Sequence, residues 1–384
     1  AMPRVRASPR FWRVWILKKN GALTVDFCKF CQEHPQFFAA ENIHLPKLAK
    51  QHIQHFVESV AAIQKTSVFL EKIGALQDWQ KLPNARTDGV LMGFDFHLTN
   101  DDAAAQLIEI NTNAGGAFLN VALLAKNGKT EESQRLAQHL ILMFQNEWRL
   151  FAGYSQSLQT LAIVDESPTS QFLYPEFQIA QFLLAKSGIE CLIAEPADFK
   201  IFDNALFLNG KKIDLVYNRL TDFYLNEPKN AVLKRAFEEN LACISPNPAH
   251  YQRLAKKDNL MILREFDALK NMIPPMEKVN SEDFWNRRKS LFFKPFDGFG
   301  SRAVYRGDKV TKKVFAEILK GNYLAQSLVP PSVHPIHVDG EKLPMKADIR
   351  AYVYQNEVLH FAARLYVGQT TNFRTHGGGF ALCV

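Results

Sequence analysis

The chain has 384 residues, of which 47% are hydrophobic and 22% charged, and this ordinary globular composition excludes disordered and fibrous proteins. Lys and Arg total 46 against 39 Asp and Glu, a formal charge of +7 that suits anionic ligands but selects none of them. The 30 Phe residues indicate large buried cores, and the length is enough for two or three domains.

The N-terminal part has the pattern of an amphipathic helical segment. Apolar side chains over 45–66 recur at helical spacing, which predicts a mainly helical segment over 1–85. The 5 Cys residues form no even framework, which favours a reducing compartment. Cys28 and Cys31 form a CxxC without a second ligand pair, so we interpret them as ordinary thiols. No apolar run reaches about 18 residues, so we predict a cytoplasmic protein with no membrane partner.

The rest of the chain alternates between strand and helix patterns. Strand alternation over 88–111 and a helical pattern over 131–151 form the second segment, 86–155. Strands and helices then alternate over 156–250, which indicates an α/β layer with a largely parallel sheet. The last segment, 251–384, is mixed and ends in a strand pair joined near residues 355–356. We therefore predict an α/β (α+β) fold.

A candidate metal hairpin lies in the second segment. A turn near Asp102 would place Asp95 opposite Glu109, because strand positions equidistant from a turn pair across the ladder. The acids would share a face with His97 and Asn111, and oxygen ligands of this kind suit Mg²⁺. The opposite face would be apolar, formed by Phe94, Phe96, Leu98, Ile108 and Ile110. The alternative is a solvated hairpin face whose acids pair with Lys or Arg.

Three further stretches have the composition of ligand-binding segments. Lys294 ends a strand before a turn with Gly298, Gly300 and Ser301, which suits phosphates but also fits an ordinary hairpin turn. The strand 323–329 offers backbone groups to an adenine edge, or is a plain core strand. Near the C-terminus three arginines precede a triple glycine, a pattern that favours phosphate or carboxylate binding over a flexible tail.

In this order the segments resemble the ATP-grasp superfamily, and specifically its circularly permuted branch, which contains eukaryotic glutathione synthetase and glutathionylspermidine synthetase-like proteins. In an unpermuted ATP-grasp the Glu-x-Asn metal pair follows the phosphate lysine, whereas here Glu109-Ile110-Asn111 precedes Lys294. The resemblance runs from about Asp88 to the C-terminus and leaves the first eighty or so residues uncovered.

The resemblance assigns a role to each of these residues. It implies metal ligation by Asp95, Glu109 and Asn111. It implies nucleotide binding by Lys257, Lys294, Gly298, Gly300, Ser301, Gln326, Ser327, Leu328, Val329, Asn372, Gly377 and Gly378. It implies substrate binding by Asn218 and Arg219, and catalytic charge from Arg364 with Arg350 or Arg374. One position departs from the family pattern, because relatives usually have Arg two residues before the metal Asp and this chain has Gly93.

The implied activity is that of an ATP-dependent ligase with ATP and Mg²⁺ as cofactors. A substrate carboxylate is phosphorylated by ATP, and an amine then attacks the acyl phosphate to give an amide, ADP and phosphate. The expected partners are small-molecule or peptide carboxylates and amines, and a homodimer is left open. The first alternative is an inactive or weak ATP-binding pseudoenzyme or partner module, favoured by Gly93. The second, a nucleic-acid binder, lacks a clustered basic and aromatic motif.

Overall fold

The computed structural model describes residues 16–19, 22–74, 83–99, 104–296 and 303–384. The predicted phosphate-binding residues Gly298, Gly300 and Ser301, and the turn at Asp102, lie outside the described residues. In the part of the chain described, no helix is both long enough and apolar enough to cross a membrane.

The helices lie mainly in the first two thirds of the chain. In chain order they are α1 (Phe27–Glu33), α2 (Lys47–Ile63), α3 (Ser67–Lys72), α4 (Ala117–Lys126), α5 (Thr130–Ala152), α6 (Tyr174–Lys186), α7 (Ala231–Glu238), α8 (Pro248–His250), α9 (Asn259–Leu263), α10 (Asp267–Lys270), α11 (Asp283–Arg287) and α12 (Lys312–Lys320).

The strands form several separate sheets. In chain order they are β1 (Ile16–Lys19), β2 (Ala22–Val25), β3 (Met92–Leu98), β4 (Ala105–Asn111), β5 (Thr160–Val164), β6 (Glu190–Ala194), β7 (Phe199–Phe202), β8 (Ala205–Leu208), β9 (Lys211–Lys212), β10 (Leu215–Asn218), β11 (Cys243–Ser245), β12 (Met276–Lys278), β13 (Leu291–Pro295), β14 (Tyr305–Arg306), β15 (Tyr323–Ser327), β16 (Ser332–Val338), β17 (Glu341–Tyr354), β18 (Glu357–Tyr366) and β19 (Gly379–Leu382).

The largest sheet joins strands that are far apart in the sequence. Its order is β19-β18-β17-β3-β4, with β16 paired to the first half of β17. The early hairpin β3-β4 therefore lies beside the C-terminal strands, with Arg350 of β17 opposite Asp95 of β3. The strand pair predicted near residues 355–356 is confirmed as β17 and β18.

Helix α2 covers one face of this large sheet. Ile53, Phe56 and Val60 of α2 share a buried core with Phe94 and Phe96 of β3. The rings of Phe56 and Phe96 meet edge to face with centroids 5.7 Å apart. Burying one such side chain contributes roughly 1.5–3 kcal/mol to folding stability, so this packing holds the apolar face of β3 against α2. The helical prediction for 45–66 is confirmed, whereas Ile16–Lys19 and Ala22–Val25 pair as the antiparallel strands β1 and β2.

The predicted parallel layer is present. Its strand order is β11-β10-β5-β6, and each neighbouring pair is parallel. Helices α4 and α5 lie between this sheet and the large one, because their side chains share one buried core with Leu161 and Tyr217 on one side and Tyr352 and Phe380 on the other. The small antiparallel sheet β7-β8-β9 was not predicted.

A third sheet, β12-β15-β13-β14, forms with α12 a smaller unit with its own core. The predicted strand ending at Lys294 and the predicted helix over 312–320 are both confirmed. The mixed α/β fold class predicted from the sequence is therefore the fold observed. The large sheet and this third sheet together line a cavity.

Candidate functional site

A cavity of about 440 Å³ is lined by both of these sheets, and this volume is in the usual range for a small-molecule site. Many of the predicted site residues line it. They are Asp95, Glu109, Asn111, Lys257, Lys294, Gln326, Ser327, Leu328, Val329, Arg350 and Arg364. Side chains from the hairpin, from the third sheet and from the C-terminal strands thus converge on one space, although they are up to 269 positions apart in sequence.

The lining carries an excess of positive charge. Its six cationic side chains are Lys257, Lys294, Arg306, Lys346, Arg350 and Arg364. Its three carboxylates are Asp95, Glu109 and Asp348. Apolar side chains complete the wall, among them Phe292, Leu328 and Val333. A cavity with a positive excess of three charges and an apolar wall suits an elongated ligand with an anionic end and an apolar end.

The hairpin register places the two acids side by side. Asp95 pairs with Glu109, as the sequence predicts, and the register then shifts so that Phe96 pairs with Leu107. Ile108 is the extra residue of this bulge. The prediction that Ile108 belongs to the apolar face is wrong, because Leu107 occupies the core and Ile108 lines the cavity.

Two arginines bind the carboxylate of Asp95. Arg350 donates from Nε to Oδ1 at 2.7 Å and from Nη2 to Oδ2 at 2.6 Å. Arg364 Nη2 lies 2.9 Å from the same Oδ2 and 2.7 Å from Asp348 Oδ2. Burial by itself would raise the pKa of Asp95, but Arg350 and Arg364 outweigh it and lower this pKa to about 2. Asp95 is therefore ionised. It pairs with arginine, as the alternative interpretation of the hairpin predicts, but the pair is buried and does not lie on a solvated face.

The ammonium of Lys294 lies at the same end of the cavity. It donates to the carbonyl of Ile108 at 2.9 Å and is 4% exposed. Burial lowers the pKa of Lys294 to about 8, with Glu109 opposing the shift and Lys257 adding to it. A buried ammonium with so little compensation favours an anionic ligand beside it.

The segment 326–329 forms the opposite wall. Gln326 is buried in β15 between β12 and β13, and its Nε2 has no partner among the described residues. The N–H of Ser327 donates to Pro275 and that of Leu328 to Ser290, both at 2.8 Å. The Val329 carbonyl accepts from Nδ1 of His97 at 2.7 Å. The unpartnered Gln326 amide, buried in the lining, is a donor available to a ligand.

Asn218 and Arg219, the predicted substrate residues, lie outside this cavity. Arg219 follows β10 and faces the end of the neighbouring strand β5, at the point where the strand order of the parallel sheet reverses. Such crevices commonly bind ligands in α/β proteins. Arg219 donates to the Asn113 carbonyl and to the Tyr217 hydroxyl, and its Nε has no partner among the residues described. Asn218 uses both ends of its amide on backbone groups, those of Pro246 and Leu220.

Acidic groups surround Arg219. Burial raises the pKa of Asp165, which follows β5, to about 6 against the attraction of Arg219. Burial also raises the pKa of Glu176, whose Oε1 accepts from the Gly116 N–H at 2.7 Å. A short segment joins this cluster to the cavity, because the Gly115 carbonyl accepts from Arg350 Nη1 at 3.4 Å. Residues 113–116 therefore contact both the Arg219 cluster and the arginine end of the cavity.

The predicted C-terminal loop is only partly at the cavity. Thr371 lines it, but Asn372, Arg374, Gly377 and Gly378 do not. Asn372 braces its own loop, accepting from the Arg374 N–H at 3.0 Å and donating to the Val367 carbonyl at 3.0 Å.

The two glycines are packed against neighbouring chain. A Cβ at Gly377 would lie 2.4 Å from Val338, and one at Gly378 would lie 2.5 Å from the Leu365 carbonyl. These glycines therefore permit close packing in the observed arrangement.

Sequence reasoning missed several lining residues, among them Asp348, Lys346 and Arg306. Lys346, Asp348 and Arg350 alternate along β17, so the period of two was a signal that placed them on one face. Arg306 pairs with Phe292 across β13 and β14, a register that no periodicity in the sequence specifies.

Gly93 lies directly against the arginine cluster. A Cβ at this position would be 2.5 Å from the Ala114 Cβ and 3.3 Å from Arg350 Nε. Arg350 therefore fills the space beside Gly93, and an arginine at position 93 does not fit this arrangement.

The oxygen donors at the cavity wall suit Mg²⁺. Within the described ranges, no three His, Cys, Asp or Glu side chains cluster as metal ligands do. Glu109 and Asn111 nonetheless supply oxygens at the cavity wall. Since Mg²⁺ typically takes one or two carboxylates and completes its shell with water and substrate phosphates, these two residues fit it.

No protein-family profile and no curated protein matches the chain. Among solved structures, it is similar to a glutathione synthetase-like effector from Globodera pallida, with 11% identity, coverage of 95% of this chain and 92% of that one, and a TM-score of 0.49. It is also similar to a putative gamma-glutamylcysteine synthetase from Methylobacillus flagellatus, with 10% identity, 87% coverage of each chain and a TM-score of 0.48. A third match is the ATP-grasp ligase PsnB complexed with minimal precursor, Mg and ADP, with 13% identity, coverage of 58% and 86%, and a TM-score of 0.32.

Proposed function

We propose that the protein is an ATP-dependent carboxylate–amine ligase that forms an amide through an acyl phosphate. The observation that supports this most directly is the convergence of Lys257, Lys294, Arg350 and Arg364 with Glu109 in one cavity that also has an apolar wall. Cationic side chains bind the phosphates of a nucleotide, and an apolar wall packs against its purine ring. The permuted order of the ATP-grasp elements is part of this proposal, and it is supported by β3-β4 lying beside β17.

The residues that line the cavity favour one orientation of ATP. The adenine would lie against 326–329 and Phe292, where the Gln326 amide has an unused donor. The phosphates would then extend towards Lys294 and the hairpin acids. Glu109 and Asn111 would hold Mg²⁺, which when bound supplies neutralisation of the β- and γ-phosphate charge. The resemblance implies Asp95 as a third ligand.

The chemistry assigned to the side chains is mainly electrostatic. A substrate carboxylate oxygen attacks the γ-phosphorus, the bond to the β,γ-bridging oxygen breaks, and ADP leaves. An amine nitrogen then attacks the acyl carbon, loses a proton and expels phosphate. Arg364 and Arg350 would hold the carboxylate before transfer and stabilise the oxyanion after amine attack, where preorganised positive charge contributes most. No nucleophilic side chain is required.

The second substrate would bind on the parallel-sheet side. Arg219 is 8% exposed and has an unpartnered Nε, and it lies across residues 113–116 from Arg350. It would bind a carboxylate of a small molecule or peptide, with Asp165 nearby for a cationic group. This part of the proposal names a class of substrate and not a compound.

The test is an ADP-release assay of the purified chain against paired panels of carboxylates and amines. We expect ADP release that requires both a carboxylate and an amine and that Glu109→Ala abolishes. Glu265→Ala is the matched control, because Glu265 is exposed and pairs only with Lys72 among the described residues. ATP binding without acceptor-dependent release would support the alternative, an ATP-binding pseudoenzyme, which Gly93 favours.

A further inference from the structure

The carboxylate of Asp95 is already saturated with hydrogen-bond donors. Its Oδ2 receives Arg350 Nη2 at 2.6 Å, Arg364 Nη2 at 2.9 Å and Asn111 Nδ2 at 3.1 Å. Its Oδ1 receives Arg350 Nε at 2.7 Å. A carboxylate offers about four lone-pair sites, so a cation that binds Asp95 must displace one of these four donors, and three of them are guanidinium N–H groups.

Displacing either arginine from this position is costly. Asp95 is 2% exposed and Arg350 is 8% exposed, so separating them leaves buried charge without a partner. Breaking a buried ion pair from one side typically costs about 3–5 kcal/mol. A divalent cation on Asp95 would also lie within a few ångströms of two guanidinium groups, and this repulsion adds to the cost.

The same contacts leave two other oxygens available. Asn111 donates from Nδ2 to Asp95 at 3.1 Å and to Glu109 Oε1 at 3.2 Å, which fixes the orientation of its amide. The hydrogen bonds of these two side chains among the described residues use Asn111 Nδ2 and Glu109 Oε1, which leaves Asn111 Oδ1 and Glu109 Oε2 for a ligand. Both residues line the cavity, so these are the oxygens that a metal can reach without breaking an ion pair.

We infer that Asp95 is not a metal ligand but the anchor that holds Arg350 and Arg364 at the cavity wall, and that the metal is held by Glu109 and Asn111 alone. This inference rests on the proposed function. Asp95 is thereby a positioning residue, because it acts on the substrate through the two arginines. The cationic end of the cavity then contains two fixed guanidinium groups in addition to the metal.

The test measures Mn²⁺ binding as a probe for Mg²⁺ in the presence of AMPPNP, by electron paramagnetic resonance, with nucleotide alone as the blank. We expect Glu109→Gln to weaken Mn²⁺ binding by at least about tenfold, as loss of metal-site residues typically does. Because an asparagine oxygen at position 95 can still accept from Asn111 Nδ2, we expect Asp95→Asn to weaken Mn²⁺ binding clearly less than Glu109→Gln does. We also expect it to raise the KM of the carboxylate, because the arginines lose their anchor. An Asp95→Asn protein with Mn²⁺ affinity as weak as that of Glu109→Gln overturns the inference.

A second measurement uses the wild-type chain, in case Asp95→Asn does not fold. Protein labelled with ¹³C at the aspartate side-chain carboxyl, or separately at the glutamate side-chain carboxyl, is studied by electron–nuclear double resonance with Mn²⁺ and AMPPNP. We expect a ¹³C coupling from glutamate and none from aspartate. A coupling from aspartate overturns the inference while leaving the proposed function intact. Failure of the wild-type chain to bind Mn²⁺ beyond the nucleotide blank contradicts the proposed function itself, and the inference falls with it.

Discussion

The ammonium of Lys294 donates a 2.9 Å hydrogen bond to the carbonyl of Ile108, the extra residue in the bulge of β4. The bulge therefore does more than bend a strand, since it turns a backbone acceptor towards the third sheet. One neutral acceptor does not replace the hydration of a buried ammonium, which is why the pKa of Lys294 is lowered to about 8. The charged side chain is therefore positioned to bind an anion, and its burial lowers the stability of the ligand-free chain.

This cost predicts the effect of removing the charge. We expect Lys294→Met to raise the free energy of unfolding of the ligand-free chain, on the order of 1–3 kcal/mol, because burial of the ammonium opposes folding. The same variant loses the rise in thermal midpoint that ATP with Mg²⁺ gives to the native protein. Urea denaturation and thermal melts with and without nucleotide measure the two effects.

The matched control is Lys278→Met in the same sheet. Lys278 is exposed and lies 5.4 Å from the ring centroid of Phe296, so its loss leaves the cavity intact. Its ATP-dependent shift should equal that of the wild type. A Lys294→Met protein that is destabilised, and that still responds fully to ATP, contradicts the role given to Lys294.

The lowered pKa of Lys294 also predicts a pH dependence of ATP binding. The ammonium loses its proton in the free protein as the pH rises through about 8, whereas bound phosphate keeps it charged. We expect the Kd for ATP to rise about tenfold between pH 7 and pH 9, since two pH units span this titration. Lys294→Arg, which stays charged, should give a flat profile in isothermal titration, and an equally steep profile in that variant would assign the titration to another group.

The contrast between Asp95 and Ile108 shows where sequence reasoning reaches its limit. Symmetry about a hairpin turn is a local property, and it correctly paired Asp95 with Glu109. The shift at Ile108 accompanies a tertiary contact, because the N–H of Leu107 donates to Met272 at 2.7 Å in a distant segment. No periodicity in the hairpin contains that information.

The glycines near the C-terminus show the same limit. Three in a row suggest mobility, yet the chain around Gly377 and Gly379 passes against Val338 and Phe37. Close approach of the backbone and loop closure both require glycine, so composition alone does not separate them. By contrast, the two-residue alternation of Asp348 and Arg350 is visible in the sequence, so their shared face was within reach of sequence reasoning although it was not predicted.

The buried pair of Asp95 and Arg350 predicts strong energetic coupling. We expect Arg350→Met alone to cost about 3–5 kcal/mol, because it leaves Asp95 buried with reduced compensation. The double variant with Asp95→Asn should cost less than the sum of the single variants by up to about 3 kcal/mol. Urea denaturation of the four proteins measures the coupling.

An exposed pair of similar geometry provides the comparison. Arg287 donates to Glu277 at 2.6 and 2.8 Å, but the side chains are 45% and 55% exposed. Its coupling should stay below about 1 kcal/mol. Equal coupling in the two pairs would contradict the importance of burial at Asp95.

The buried histidine His250 predicts loss of stability in mild acid. Its Nδ1 accepts from the Asn247 N–H at 3.1 Å, and its Nε2 donates to the Thr87 carbonyl at 2.9 Å, so the neutral ring is fully used. Burial lowers its pKa to about 3. Stability is therefore fully present above pH 6.5 and is lost as the pH falls towards 3, by up to about 1.4 kcal/mol per pH unit.

The measurement compares wild type with His250→Asn by urea denaturation at pH 7.5 and pH 5.5. The variant is less stable at pH 7.5, and the difference should shrink by about 1 kcal/mol at pH 5.5, because only the wild type still excludes the proton. His55→Asn, at a side chain 77% exposed, is the control and should show a constant difference. A constant difference for His250→Asn would mean that another group accounts for the acid sensitivity.

The last prediction separates the two arginines that the sequence treated alike. Arg364 lines the cavity between Asp95 and Asp348, whereas Arg374 is exposed on a loop outside it. We expect Arg364→Lys to lower kcat by about 10²-fold or more, since a lysine cannot bridge two carboxylates and still face the substrate. Arg374→Ala should change kcat and KM by less than about twofold, because substitutions away from such features have small effects. If Arg374→Ala instead lowers kcat as much as Arg364→Lys, the loop closes over the substrate during turnover, and the sequence-based role of Arg374 is correct.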